Sequence, residues 1–237
     1  TIDDGKKLMT NNMKLTNLRY NLIEEEICEL NDAINDDDIV EIIDALSDIL
    51  YVVYGAGVSF GINIDTLFRS NLKNDNITFD ENNTNYNIMK GIKNYNFDNS
   101  KGIKENYIKN KSQVINLLEL LKINRDILKE AVDSYDYEVI LTCLINLTYY
   151  TYHIGCVLNI DLDKSFNIVH SSNMSKLCKT EEEASKTVNN YIKNDTRYDS
   201  PKYRKSDLGD YYVVYNGSTN KILKSINYTP ANFDTML

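Results

Sequence analysis

Proline and glycine are scarce in this sequence, and their scarcity narrows the fold classes open to it. The 237 residues include 2 Pro and 9 Gly. A barrel or a sandwich needs many turns between short strands, and such turns draw heavily on these two residues. We therefore expect a helical chain that is long enough for one large domain or two small ones, with a sizeable core.

Basic residues and long apolar runs are also in short supply. The formal net charge is −9, whereas a general binder of nucleic acid or of anionic membranes needs a basic face. The longest apolar run, residues 49–60, is too short to span a bilayer, and no secretory signal is visible at the start. We therefore predict a cytoplasmic protein that has neither nucleic acid nor a membrane as a partner.

Cysteines are few, and no CxxC motif is present. The 4 cysteines lie far apart and mostly among apolar neighbours, at Cys28, Cys143, Cys156 and Cys178. This pattern indicates reduced thiols in the core of a cytoplasmic protein.

Signatures of several enzyme classes are missing as well. There is no GxxxxGK phosphate loop, and the "GAG" of residues 55–57 lies inside a predicted helix, so it is not a dinucleotide loop. Two histidines without a partnered nucleophile argue against a catalytic triad. We expect His153, in an apolar helix, to belong to the core, and His170 is a candidate for contact with a substrate.

Apolar residues recur at helical spacing over residues 15–34, which predicts an amphipathic helix. These apolar positions cover one continuous arc of the helix surface. Glu26 falls inside that arc, and Glu25 and Glu29 fall along one edge of it. The acidic "NDDD" at residues 35–38 ends this helix and caps the next one, because negative charge suits a helix N-terminus.

A second helix, from about residue 39 to residue 60, is apolar around nearly its whole circumference, which indicates burial. It nevertheless carries Glu41, Asp44 and Asp48 on one narrow stripe. An unpaired buried carboxylate is costly or takes up a proton, and neither helix offers Lys or Arg at i+3 or i+4. Mg²⁺ prefers such hard oxygen ligands, and Mn²⁺ is the alternative. The competing interpretation is an ordinary solvated acidic face.

The sequence also repeats itself at an offset of 98 residues. Shifting residues 18–68 by this offset aligns Ala33 with Ala131, Gly57 with Gly155, Asp65 with Asp163 and Phe68 with Phe166. The second copy keeps the apolar spacing but loses all five acids of the two helices, which become Asn124, Ile127, Val139, Thr142 and Asn146. We interpret this as a tandem helical duplication with one chemically equipped half and one scaffold half.

The predicted fold is therefore an all-α helical bundle of two repeated modules, a pseudo-dimer, with a small C-terminal β-hairpin. The expected segments are a catalytic module at 14–71, a polar linker at 72–110, a degenerate second module at 111–178, and a C-terminal helix with a hairpin tail at 179–237. The linker is rich in Asn, Asp and Lys and has no apolar period. The hairpin is expected to turn at Asn216-Gly217.

Four stretches, in this order, carry a resemblance to a known family: "LRYNLIEEEICEL", "EIIDALSDILYVVYGAGVSFGI", "SSNMSKL" and "KILKSINYTP". Over most of its length outside the linker, the chain resembles the all-α nucleoside triphosphate pyrophosphohydrolases. It is most similar to the phosphoribosyl-ATP pyrophosphohydrolase-like members, and MazG and the dimeric dUTPases are wider relatives. The resemblance implies a four-helix arrangement, usually dimeric, that binds Mg²⁺ through an ExxE and an ExxD on adjacent helices.

This resemblance implies a set of metal ligands. The ExxE motif matches Glu26 and Glu29, and the ExxD motif matches Glu41 and Asp44. Asp48 competes with Asp44, because it precedes "ILY" much as the family aspartate precedes its apolar run.

The resemblance also implies residues that meet the substrate. Asn173 and Lys176 of the NMSK motif resemble nucleotide- and phosphate-contacting residues, and Arg19 and Lys224 are further expected substrate ligands. Glu25, beside the metal ligands, is the candidate general base for a water molecule. The family's N-terminal helix before the LR…EE motif is expected to be missing or shortened, which leaves the base pocket undefined.

The implied reaction is hydrolysis of a nucleoside triphosphate, with a dNTP as the expected substrate, to a monophosphate and pyrophosphate. One chain would then hold both halves of an ancestral dimer and one active site, and further homodimerisation is left open. Two alternatives to this predicted activity are left open. One is phosphoribosyl-ATP pyrophosphohydrolase activity, which breaks the same kind of bond. The other is a non-catalytic helical interaction protein that has kept the fold.

Overall fold

The computed structural model describes residues 2–68, 102–195, 197–207 and 209–237. Helices in these ranges include α1 (Ile2–Asn11), α2 (Met13–Asn35), α3 (Ile39–Ser59), α4 (Ile103–Ser134), α5 (Tyr137–Leu158), α6 (Leu162–Ser175) and α7 (Glu181–Asn194). Two strands, β1 (Pro201–Lys205) and β2 (Tyr212–Asn216), pair antiparallel. Across the described ranges, no helix combines the length and the hydropathy that crossing a membrane requires. The predicted helical class with a small C-terminal hairpin is confirmed.

The chain separates into two compact units. The first runs up to Phe166 and also includes Phe233–Leu237, and the second comprises Asn167–Asn232. The sequence placed a boundary later, after Cys178. Cys178 groups with the C-terminal part because it forms an isolated antiparallel bridge with Tyr212, with N–O distances of 2.9 and 2.8 Å in the two directions.

Side chains cap the N-termini of both helices of the α2–α3 hairpin, and the helices begin and end within two residues of the predicted bounds. The Asn12 side chain accepts a hydrogen bond from the amide of Leu15, at 3.2 Å. Asp38 accepts from the amides of Val40 and Glu41, at 3.0 and 3.2 Å. These bonds satisfy amides that the first helical turn leaves without partners. The predicted capping by the "NDDD" segment is confirmed.

The facing sides of α2 and α3 form the core of this hairpin. Their largest apolar side chains are each at most 1% exposed: Ile23, Ile27, Leu30, Ile42, Ile43, Leu46, Ile49, Leu50 and Val53. Burying one such side chain stabilises the fold by about 1.5–3 kcal/mol relative to leaving it in water. The N-terminal helix that we expected to be missing or shortened is present as the ten-residue α1, whose Met9 is buried.

The predicted linker of residues 72–110 lies largely outside the described residues, but its last part is helical, because α4 already begins at Ile103. Tyr107 anchors this part of α4 to the turn after α2. Its hydroxyl lies 2.9 Å from the carbonyl oxygen of Ile34 and 2.7 Å from a carboxylate oxygen of Asp37. The local sequence is polar, so this tertiary anchor, and not an apolar period, explains the earlier start.

Packing features of the α2–α3 hairpin recur 98 residues later in the α4–α5 hairpin. A Cβ atom on Gly57 would lie 2.6 Å from the side chain of Ile64, and a Cβ atom on Gly155 would lie 2.6 Å from Leu162. In both hairpins the amide five residues after the glycine donates to the glycine carbonyl, at 2.8 Å. Each glycine therefore allows a helix end to approach the segment that follows it.

Aromatic residues of the two hairpins contact each other reciprocally. Phe68 packs on Tyr152 with ring centroids 6.0 Å apart, and Phe166 packs on Tyr54 at 5.8 Å. The two phenylalanines are 98 residues apart in the chain, and so are the two tyrosines. Helix α2 also packs against α4, and α3 against α5. Reciprocal contacts between equivalent residues are typical of an interface with twofold symmetry.

The second unit has its own small core and carries the hairpin. Cys178, Ala184, Val214 and Leu223 are buried together. In this core α7 contributes Ala184, and β2 contributes Val214.

The predicted hairpin turn at Asn216-Gly217 is wrong. Strand β2 ends at Asn216, which pairs with Pro201, and residues 206–211 join the two strands. After Gly217 the chain folds back only as an isolated bridge between Tyr215 and Ile222. The sequence did not reveal β1, because its "PKYRK" is polar and mostly exposed.

The prediction of core thiols holds for Cys143 and Cys178, which are buried. Cys156 is half-buried, and Cys28 is exposed on α2, so the core assignment is wrong for Cys28. His153 is half-buried, and burial lowers its pKa.

Candidate active site

Glu26 of the α2–α3 hairpin is an acid with a carboxylate oxygen that is buried and, within the described part of the chain, unsatisfied. Its side chain is largely withdrawn from solvent, and its Oε2 atom is buried without a hydrogen-bond partner among the described residues. Burial, and then the negative field of Asp48, Glu29, Glu25 and Asp44, raises the pKa of Glu26 to about 8. A buried carboxylate in this state needs a proton or a cation, because its charged form is poorly solvated.

The other acids of the two helices surround Glu26 at different depths. Asp44 and Asp48 on α3 are half-buried, while Glu25, Glu29 and Glu41 are exposed. Partial burial of the Glu29 carboxylate raises its pKa, and the charges of Glu25, Asp44 and Glu41 raise it further. Carboxylates of both helices are therefore close enough to shift one another's ionisation.

Helical spacing explains this convergence. Glu26 and Glu29 are one turn apart on α2, and Asp44 and Asp48 are one turn apart on α3, so each pair lies on one face. Packing of the two helices then brings both faces together. The sequence located Glu26 inside the apolar arc, and in the structure its Oε2 atom is buried.

The chemistry of these acids fits an oxygen-bound divalent cation. The fit rests on the buried Oε2 atom of Glu26, which lacks a donor among the described residues, and on carboxylate ligands of the kind that Mg²⁺ and Mn²⁺ prefer. In the described part of the chain, no group of three or more His, Cys, Asp or Glu side chains is already drawn together as a metal cage. The five candidate ligands are Glu26, Glu29, Glu41, Asp44 and Asp48, and their roles stay predictions.

The equivalent place in the α4–α5 hairpin holds a neutral pair. Asn124 and Asn146 stand 98 residues after Glu26 and Asp48. The Asn146 amide donates to Asn124 Oδ1 at 3.0 Å, and the Asn124 amide donates to the Leu120 carbonyl at 2.8 Å. Asn124 is buried, and both of these hydrogen bonds lie within the hairpin. This hairpin therefore has no counterpart to the unsatisfied carboxylate of Glu26.

The residues at the other three corresponding positions are not buried. Ile127 and Thr142 are exposed, and Val139 is half-buried. Their side chains nevertheless carry no charge, so the acidic field around Glu26 has no equivalent among the five corresponding positions.

Arg19 lies on the same side of α2 as Glu26, two turns earlier. Its Nε donates to Ser59 Oγ at 2.8 Å, and its guanidinium passes over Gly55 of α3. Burial lowers the pKa of Arg19. The structure thus brings this predicted substrate ligand to the helix pair that carries the acids. The sequence did not predict the hydrogen bond from Arg19 to Ser59. The available signal was that Ser59 follows Gly55 by four residues, the spacing at which a serine hydroxyl can donate to a helix carbonyl.

Asn173, Lys176 and Lys224 lie in the second unit. Lys176 Nζ donates to Asn173 Oδ1 at 2.5 Å, and the Ser225 amide donates to the Lys176 carbonyl at 3.2 Å. Lys224 is exposed, with its Nζ 4.3 Å from the ring centroid of Tyr228. The structure therefore brings the "SSNMSKL" and "KILKSINYTP" motifs together. The binding of substrate by these residues, and by the exposed His170, stays a prediction from the motifs.

Glu25, the candidate general base, is exposed on α2 next to Glu26. Its carboxylate is therefore within reach of a water molecule. Its position is compatible with a base, and its role is untested.

Comparisons with known proteins match the part of the chain that holds the acids and, in one case, nearly the whole chain. Residues 2–75 match the family described as phosphoribosyl-ATP pyrophosphohydrolase, which covers α1, α2 and α3. The chain is 35% identical over 240 residues to "Uncharacterized protein L479" of Acanthamoeba polyphaga mimivirus, covering 98% of this chain and 86% of that protein. No solved structure matches the chain.

Proposed function

This chain belongs to the family of its mimivirus relative and carries a phosphoribosyl-ATP pyrophosphohydrolase domain at residues 2–75, and from that premise we propose that it is a Mg²⁺-dependent nucleoside triphosphate pyrophosphohydrolase. The proposed substrate is a dNTP, which is hydrolysed to a monophosphate and pyrophosphate. The observation that carries the proposal is the buried Glu26 carboxylate, with its pKa raised to about 8 among acids of both helices.

The proposed metal ligands are the acids of α2 and α3. Glu26 and Glu29 would bind from α2, and Glu41 with Asp44 or Asp48 would bind from α3. Bound Mg²⁺, or Mn²⁺ in its place, neutralises charge on a phosphate chain and lowers the pKa of a coordinated water. The negative field that raises the pKa of Glu26 supports this assignment, because the same field attracts a divalent cation.

The remaining residues of the proposed site handle the water and the phosphates. Exposed Glu25 would accept a proton from a water molecule while the oxygen of that water attacks the α-phosphorus. The bond between the α-phosphorus and the bridging oxygen breaks, and that oxygen leaves with pyrophosphate. Arg19, held at the α2–α3 pair, would face charge on the leaving group.

We also propose that the chain is a tandem duplication with one active site. Recurrence of the Gly57 and Gly155 packing at an offset of 98 residues supports it, as do the reciprocal aromatic contacts. The hydrogen-bonded pair of Asn124 and Asn146 supports loss of the second site, because neutral amides have replaced two of the acids there.

The experiment that tests the proposed activity is a substrate panel with the full chain and Mg²⁺. It contains the common NTPs and dNTPs together with phosphoribosyl-ATP, and each reaction is assayed separately for monophosphate, pyrophosphate and orthophosphate. We expect monophosphate and pyrophosphate in equal amounts, with the highest kcat/KM for a dNTP. Preference for phosphoribosyl-ATP would assign the same bond chemistry to the other substrate that the family match suggests.

Matched variants make this panel decisive. Glu26→Gln should abolish turnover, while Glu130→Gln, which neutralises an exposed glutamate of α4, should leave it unchanged. Release of orthophosphate with a diphosphate would contradict the proposed bond cleavage. Absence of turnover on every compound would favour a non-catalytic interaction protein.

A further inference from the structure

Arg19 is a half-buried cation without a carboxylate partner in the described part of the chain. The polar contact recorded for its guanidinium is the bond to Ser59 Oγ. Buried charges are usually paired with an opposite charge, and this chain has 35 Asp and Glu from which Arg19 could draw a partner. Among the described residues, this bond uses one of the five N–H donors that a guanidinium carries.

Two residues of α3 determine where this guanidinium lies. The Ser59 hydroxyl donates to the Gly55 carbonyl at 2.9 Å, which orients its oxygen to accept from Arg19 Nε. Gly55 leaves room for the guanidinium, since a Cβ atom there would lie 3.2 Å from Arg19 Nη1. With Nε engaged, the two terminal nitrogens can form the bidentate contacts that phosphate groups accept.

The position of this group relative to the acids follows from helix geometry. Arg19 precedes Glu26 by two turns on α2, and Gly55 follows Asp48 by two turns on α3. Both residues therefore continue the faces that carry the carboxylates. A cation at the end of the acidic stripe suits an extended anion whose other end would be neutralised by the divalent cation proposed to bind the acids.

The second half of the chain has lost all three residues together. At an offset of 98 residues, Arg19 becomes Leu117, Gly55 becomes His153 and Ser59 becomes Val157. The packing glycine two residues after Gly55 is retained in both halves, as Gly57 and Gly155. Residues needed for packing are thus kept, while Arg19, Gly55 and Ser59 disappear along with the five acids, as expected if these three residues serve the same site.

We infer that Gly55 and Ser59 are positioning residues that hold Arg19 as a ligand for the pyrophosphate portion of the substrate. The inference deepens the proposed function and rests on it for the identity of the substrate. Gly55 and Ser59 themselves act through Arg19. The proposal identifies an anion site at the end of the acidic stripe, built from one α2 residue and two α3 residues.

The test uses the full chain and inorganic pyrophosphate as the probe, titrated by calorimetry at fixed Mg²⁺. Arg19→Gln should weaken pyrophosphate binding about 100-fold, and Ser59→Ala about tenfold, because a charge-assisted bond and the orientation it gives are lost. Gly55→Ala should also weaken binding about tenfold, since its Cβ displaces the guanidinium. In the same variant the melting temperature should hold or rise, because alanine favours a helix over glycine. Weaker binding without loss of stability is a result that a purely structural role would not give.

Ser134→Ala is the matched control. Ser134 Oγ also donates to a carbonyl four residues earlier, at 2.8 Å, but it lies at the exposed end of α4. This variant should bind pyrophosphate as the wild type does. Unchanged affinity in Arg19→Gln and Ser59→Ala, or no binding by the wild type, would overturn the inference. Weakened pyrophosphate binding with no nucleotide turnover in the wild type would retain the anion site and reject the proposed function. Nucleotide turnover by the wild type, with pyrophosphate binding unchanged in the Arg19 and Ser59 variants, would retain the proposed function and reject the anion site.

Discussion

Glu26 is an ionisable side chain in the apolar interface between two helices. Its carboxylate lies in the apolar arc of α2, and its Oε2 atom lacks a donor among the described residues. Acids on both helices oppose its ionisation, so the pKa of Glu26 is raised to about 8. The residue therefore destabilises the metal-free fold once it ionises, as expected if Glu26 has the functional role proposed above rather than a packing role.

The raised pKa predicts a pH dependence of stability. Between the ordinary value of 4.5 and about 8, the folded state holds a proton that the unfolded state has released. The free energy of unfolding therefore falls as the pH rises through this range, on the order of a few kcal/mol in total. Glu26→Gln should flatten this slope, measured by urea unfolding with a chelator at about pH 5, 7 and 8.5. Equal slopes in the wild type and the variant would show that Glu26 is not the titrating group.

Metal binding should reverse the same penalty. At neutral pH, Mg²⁺ at about 100 times its Kd should raise the free energy of unfolding by about 2.7 kcal/mol, because the ion binds the folded state alone. The gain should be much smaller in Glu26→Gln and unchanged in Glu130→Gln. The measurement is urea unfolding with and without Mg²⁺ at constant ionic strength. Equal gains in all three proteins would point to nonspecific binding of the ion.

At the scale of elements, the two helical hairpins share their packing and differ in their polar residues. Gly57 and Gly155 each allow close approach of the segment after the helix, and the capping residues Asp38 and Asp136 both accept from helix amides. The polar interior differs, because Glu26 lies among other acids while the side-chain amide of Asn124 is hydrogen-bonded through both its nitrogen and its oxygen. Packing is thus the property that both hairpins retain.

The glycine pair gives a matched test of this shared packing. Gly57→Ala and Gly155→Ala should each lower the free energy of unfolding by about 1–3 kcal/mol, because the new methyl group would overlap the side chain of Ile64 or Leu162. Gly55→Ala is the control on the same helix, since only the end of a flexible arginine lies near its Cβ. The measurement is the urea midpoint of each variant. Equal stability of Gly57→Ala and Gly55→Ala would mean that the close approach after α3 carries no constraint.

At the scale of the whole molecule, the five acids proposed as metal ligands all lie in the first half of the chain. The family match over residues 2–75 covers α1, α2 and α3, and the five acids lie within it. The corresponding α4–α5 positions offer Asn124, Ile127, Val139, Thr142 and Asn146. An aliphatic side chain cannot bind a metal ion, so a comparable set of oxygen ligands is missing from these positions.

This asymmetry predicts one site per chain. Calorimetric titration with a non-hydrolysable nucleotide analogue, at saturating Mg²⁺, should end near one equivalent per chain. Asn146→Ala should keep that stoichiometry while lowering stability by about 1–3 kcal/mol, because Asn124 Oδ1 loses its donor. Two equivalent sites per chain would contradict the proposed loss of the second site.

Much of the helical fold and of the acidic site could be predicted from the sequence, because both depend on local periodicity. The apolar spacing of α2 and α3, the cap at Asp38 and the place of Glu26 in the apolar arc all follow from 3.6 residues per turn. The offset of 98 residues likewise located the packing glycines and the amides that replace two acids. These features need only a helix and a comparison of the chain with itself.

Tertiary structure decided what periodicity cannot encode. Helix α4 begins at Ile103 because Tyr107 reaches the turn after α2, and β1 forms because it pairs with β2 despite its polar sequence. Ser59 acquires its role only where α3 packs on α2 beside Arg19. The raised pKa of Glu26 has the same origin, because it depends on burial and on charges carried by a second helix. Local sequence set the helices and the face each acid occupies, and packing between helices set the environment that gives those acids their chemistry.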